Sequence, residues 1–174
     1  MAPKIIHPFL SKTREHLIHN WKAPSNLHLE FWLSDDSTIV EEGFYFLSGE
    51  LYLSDLETSK IPQDYVFLMH LFTWEQQCSS EGWDAFGNIS EDDLLHIISA
   101  YKYAGLQDEA LAISKAHATW QHCPDDEKAI NKAYSSIPNE HSDDLDRIPY
   151  LINYFKNNRN LLHKDTEHET QPTY

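Results

Sequence analysis

The segment IPQDYVFLMHLFTWEQQCSSEG, residues 61 to 82, limits the folds open to this chain more than any other. Tyr65, Val66, Leu68, Met69, Phe72 and Gln76 follow helical spacing, and apolar side chains point almost all round the axis. Such a helix has no face to offer water, so it belongs at the centre of the protein. Pro62 suits its first position and Gly82 its stop.

The flanking sequence supplies material to surround that helix. Pro8, Phe9, Leu17, Ile18 and Trp21 keep helical spacing until KAPSN, residues 22 to 26, breaks it, and a short helix over 27 to 33 follows. TIVEEGFYFLSGELYLSDL, residues 38 to 56, reads in two ways. Phe44, Leu47 and Leu51 fit a helix weakened by two glycines, whereas Ser48-Gly49 between aromatic arms fits a short β-hairpin near 44–53; the helix is preferred.

Ser90 with Asp93 three residues later predicts a capping box, and Leu94, Leu95, Ile97, Ile98 and Tyr101 form the stripe behind it. Gly105 should end that helix in a left-handed conformation. The next helix runs from Gln107 to about His122, with Ala110, Leu111, Ile113, Ala118 and Trp120 packing it back on its predecessor as a hairpin. Pro124-Asp-Asp-Glu127 opens a helix toward Pro138, and Ser142 caps a last one carrying Leu145 to Leu162, with Pro149 as a kink or interrupted start. The segment AYKYAGLQDEALAISKAHATW has the spacing of a tetratricopeptide-like hairpin, but one copy does not make a solenoid.

These signals predict an all-α protein: a single-domain bundle of about six to eight helices over 1–163, with a disordered tail over 164–174. Only five glycines argue against a sheet architecture with many tight corners. No apolar stretch of signal-peptide length opens the sequence, and the longest apolar run, Tyr65 to Phe72, is too short to span a bilayer. A cytoplasmic protein without membrane contact is therefore expected, with Cys78 and Cys123 as reduced thiols.

Charge is the strongest global signal. The chain carries a formal −15, and from Ala23 to Tyr101 fifteen acids face a single base, Lys60, so almost all of the excess lies there. A concentrated negative field repels nucleic acid and anionic membranes and attracts basic surfaces. Asp35, Asp36, Glu41, Glu42, Glu50, Asp55 and Glu57 surround the aromatic segment Phe44 to Leu53, as a partner-binding surface would. Glu91, Asp92 and Asp93 join them as candidates, although a helix start also favours acids.

Motifs for other chemistry are weak. His16 with His19, and His117 with His122 and Cys123, lack the paired spacing of a zinc site, so no metal and no other cofactor is expected. No nucleophile elbow or phosphate-binding glycine loop occurs, which points away from an enzyme; the rival reading is a small hydrolase with a cryptic carboxylate site.

The residues CSSEGWDAF, AYKYAGLQDEALAISKA and LDRIPYLINYF resemble a bacterial family of small acidic all-helical domains that includes the DNA-mimic proteins, over about residues 62–162. In that family a long helix ends in an Asn-Gly-Gly-aromatic elbow, then a helix, a glycine-containing turn and a second helix follow. Gly82, Trp83, Phe86, Gly105, Glu109 and Ala110 match; Ser80 and Glu81 stand where Asn-Gly is expected. The likeness makes CSSEGWDAF a packing elbow. It implies a non-enzymatic protein, able to form a homodimer, that occupies the nucleic-acid-binding face of a basic partner or serves as an immunity protein against a basic nuclease toxin, without touching nucleic acid itself.

Overall fold

A computed structural model describes residues 34–53, 59, 61 and 63–158. The helices expected before residue 34 and the tail over 164–174 lie outside them.

Six α-helices and one 3-10 segment make up the described chain: α1 Ser37–Tyr52, α2 Gln63–Glu81, the 3-10 elbow Gly82–Asn88, α3 Glu91–Tyr103, α4 Gln107–Trp120, α5 Glu127–Tyr134 and α6 Asp144–Asn157. The fold is all-α. As its sequence requires, α2 is the central rod, with Tyr65, Val66, Leu68, Met69, Leu71, Phe72 and Trp74 all buried. Among the described residues no helix is long and apolar enough to cross a membrane.

The ambiguous segment is helix, not hairpin. Val40, Phe44, Leu47 and Leu51 line one buried face of α1, and the Phe44 ring stacks on Phe72 of α2 at 5.1 Å. Ser48 fastens the pair by donating to the Met69 carbonyl at 2.8 Å, which a Gly-flanked turn could not do from the surface. Phe44 therefore points inward, and the exposed aromatic patch expected there reduces to Tyr52, with Tyr45 and Phe46 half-buried.

The capping box at Ser90 and Asp93 is formed as expected, with both reciprocal bonds present. Gly82 and Gly105 carry the positive φ values, +59° and +87°, that turn the chain out of α2 and between α3 and α4. At Gly105 a Cβ would also sit 3.1 Å from the Tyr150 hydroxyl, which donates to the Ala104 carbonyl and ties α6 to the hairpin turn. In α4 the buried face is Glu109, Ala110, Ala112, Ile113 and Ala116; Leu111 and Ala118 point outward instead, because small residues let α4 lie close to its neighbours.

Two helix starts differ from expectation. Pro124 and Asp125 precede α5, and it is Asp126 whose carboxylate accepts from the Ala129 amide at 3.0 Å. Likewise Asp143, not Ser142, caps α6, because the Ser142 carbonyl is committed to the Arg147 guanidinium. Pro149 lies inside the helix, in its second turn. Its missing N–H frees the carbonyl of Leu145, a residue 79% exposed, so water can take that bond. Asp126→Ala should cost about 1 kcal/mol in chemical unfolding and Asp125→Ala less than about 0.5. Equal effects would contradict the capping assignment.

Candidate functional site

A largely buried polar network draws one side chain from each of five helices: Glu75 from α2, Tyr101 from α3, Glu109 from α4 and Arg147 from α6, all buried, with the half-buried Tyr134 from α5. An ionised group on an apolar helix cannot enter the core alone, because desolvation costs several kcal/mol unless a partner compensates. The compensation for Glu75 is complete. Arg147 donates Nε–H to Oε1 and an Nη2 hydrogen to Oε2 at 2.8 Å, and the Tyr101 hydroxyl also donates to Oε1. Nη1 of Arg147 donates to the carbonyls of His141 and Ser142, each at 3.0 Å. Burial works against the guanidinium charge, but the bond to Glu75 and the surrounding negative groups outweigh it and hold Arg147 protonated.

Glu109 is less completely served. Its Oε2 accepts from the Tyr134 hydroxyl at 2.7 Å and from the Asn139 amide. Among the described residues its Oε1 accepts no hydrogen bond, and the nearest cation, Nη1 of Arg147, is 3.6 Å away. Burial pushes the Glu109 carboxyl upward in pKa, and Arg147 pulls it back.

This network forms the floor of a cleft of about 540 Å³. Trp74, Cys78 and Ser79 of α2, Gly82 and Trp83 of the elbow, Ile113, Asn131 and Tyr134 form its walls, and Asp143 and Asp144 stand at the start of α6 beside them. The elbow is thus both a packing device and part of a site. Phe86 is buried against Trp74, Trp83, His117 and Trp120, while Trp83 stacks on Phe86 at 5.7 Å and donates its indole N–H to Asn131 at 2.9 Å. Burial next to Glu75 raises the Cys78 thiol well above its usual range, so the cleft holds a thiol, not a thiolate.

The acids singled out by sequence are placed unevenly. Asp35, Asp36 and Glu42 are exposed and Glu41 is half-buried; Asp36 is also the N-cap of α1, accepting from the Thr38 amide at 3.0 Å. Glu50 is 3% exposed and burial raises its pKa, so its carboxyl is withdrawn from the surface a partner would meet; the hydrophobic packing of α1 on α2 draws that face inward. Asp55 and Glu57 lie outside the described residues. Glu91 and Asp92 are exposed at the start of α3, while Asp93 is engaged in the capping box. The Tyr45 phenol is raised first by burial and further by the charges of Glu75, Glu41 and Asp144.

Sequence reasoning did not single out Glu75, Arg147 or Tyr134. A usable signal was present, since an acid on a helix apolar all round must find a cation, and Arg147 is the one base in the acidic segment EHSDDLDRIPY. Among the described residues no three His, Cys, Asp or Glu side chains are arranged to hold a metal ion; His117 instead packs on Phe86 and Trp120.

A second buried ionisable group lies on α2. His70 is 5% exposed, stacks on His96 of α3 at 4.8 Å, and has its Nδ1 3.9 Å from Asp93. Burial lowers its pKa from 6.5 to about 4, the neighbouring His96 adds to this, and Asp93 opposes it. The folded value lies below the unfolded one, so the unfolded chain takes up the proton first as pH falls. Stability from neutral His70 is complete above pH 6.5 and is lost on the way down to about pH 4, a contribution of about 3 kcal/mol. Urea midpoints measured across that window should fall less steeply for His70→Leu than for the wild type. Parallel slopes would show that His70 titrates normally.

The fold and site together define an all-helical protein with an acidic, aromatic-walled cleft over a buried Glu-Arg-Glu network. No protein-family model, curated protein or solved structure matches this chain.

Proposed function

We propose that this chain is a non-enzymatic acidic protein that binds and inhibits a basic protein acting on nucleic acid, either by mimicking DNA charge or as the immunity partner of a toxin. The observation behind this reading is the concentration of charge, fifteen acids against one base from Ala23 to Tyr101. Duplex DNA offers about one charge per 1.7 Å of axis, and a field of carboxylates can present comparable charge to the same lysines and arginines. Exposed Asp35, Glu42, Glu91 and Asp92, with Glu41 half-buried, supply part of that field.

Immobilised protein exposed to a lysate of its native host tests the reading. Retention at low salt of a basic protein that elutes as salt rises, and whose action on nucleic acid the bound chain blocks, is the expected result. With that partner in hand, Glu41→Lys with Glu42→Lys should slow association and leave dissociation nearly unchanged, because charge outside a docked core acts mainly on encounter. Retention of no basic protein, or capture without inhibition, would overturn the proposal.

A further inference from the structure

We propose that the cleft beside the elbow binds a guanidinium group, supplied by an arginine side chain of the basic partner. The source of the group rests on the function proposed above; the cleft's preference for the group does not. Four acids line the cleft, Glu75, Glu109, Asp143 and Asp144, against one base, Arg147, and no lysine contributes to its wall. Arg147 is not free to attract an anion. Its Nε, Nη1 and Nη2 all donate to partners within the protein, two to Glu75 and two to backbone carbonyls.

What remains unsatisfied is negative. Glu109 Oε1 has Nη1 of Arg147 as its nearest cation at 3.6 Å, beyond hydrogen-bond distance, so it keeps room for a closer donor. A carboxylate oxygen that lines a cleft with only a long ion pair gains from an incoming donor, and bonds to charged groups are the strong ones. The walls suit a planar cation in particular. Trp83 is fixed in orientation by Phe86, by the tilted ring of Tyr134 at 5.3 Å and by its bond to Asn131, so a guanidinium would meet the part of the indole that lines the cleft while its N–H groups reach carboxylates. The volume, about 540 Å³, falls in the range of roughly 300 to 1,000 Å³ typical of ligand pockets. Asp144, exposed at the mouth, is placed to meet the group as it enters.

The test uses N-acetylarginine methylamide as probe and the neutral citrulline analogue as control, with the Trp83 indole resonance as readout, identified by its loss in Trp83→Phe. A saturable shift with the arginine probe, absent with citrulline and weakened at least about tenfold in Asp144→Asn with Glu109→Gln, is expected. Should the double variant fold poorly, Asp144→Asn alone carries the comparison. No shift at saturating probe would overturn the cleft assignment, even if a basic partner binds elsewhere. If the probe binds but the captured partner's affinity is unaffected by the same substitutions, the cleft serves a free cation, and the partner's side chain as its occupant is refuted.

Discussion

Replacing Arg147 by methionine should lower the unfolding free energy by about 3 to 5 kcal/mol, because it leaves Glu75 and Glu109 in the core without their cation. Both carboxylates are 2% exposed, so the two bonds that Arg147 donates to Glu75 are lost with little solvation in return. The loss should depend on pH. Without Arg147 the buried carboxyls are driven toward the neutral form, and the variant should recover stability relative to wild type as pH falls into the carboxylate range. Adding Glu75→Leu should restore part of the loss, since an apolar replacement of a whole buried ion pair is often nearly neutral. Urea unfolding of the single and double variants checks this. A loss below about 1 kcal/mol for Arg147→Met would mean that the network does not hold the helices together.

Phe86→Ala should cost a similar amount, about 3 to 5 kcal/mol, by opening a cavity where α2, α4 and the elbow meet. The ring is 2% exposed and contacts the rings of Trp74, Trp83, His117 and Trp120. Its loss should also loosen Trp83, so the fluorescence of the folded variant should shift to longer wavelength under conditions where far-ultraviolet circular dichroism still reports full helix content. Trp83→Ala should be milder, since Trp83 is only half-buried. If Trp83→Ala proves the more damaging of the two, the elbow is held chiefly by the indole bond to Asn131 and not by the buried ring.

The helices were legible because their signals are local. The all-round apolar pattern of α2, the Ser90 and Asp93 box and the left-handed Gly105 each depend on residues within a turn or two, and each is realised. Where local signals were evenly matched, tertiary contact decided. Ser48-Gly49 could have turned a hairpin, but the hydroxyl of Ser48 finds the Met69 carbonyl and the Phe44 ring finds Phe72, contacts more than twenty residues away in sequence.

The site was legible only as charge. Sequence alone determined that the protein is acidic, helical and built around one central apolar helix, because composition and periodicity are properties of neighbours along the chain. It did not determine which acids face water. Asp36 faces water but is tied up as a cap, Asp93 is half-buried in its capping box, and Glu50 is drawn into the core. Only the tertiary structure brought Glu75 and Arg147, 72 residues apart, into one bidentate pair and set Glu109 beside them over a cleft. The physical reason is desolvation: a buried charge tolerates very few surroundings, and which distant residue supplies the partner is settled by how the helices pack, not by anything within reach of its own helix.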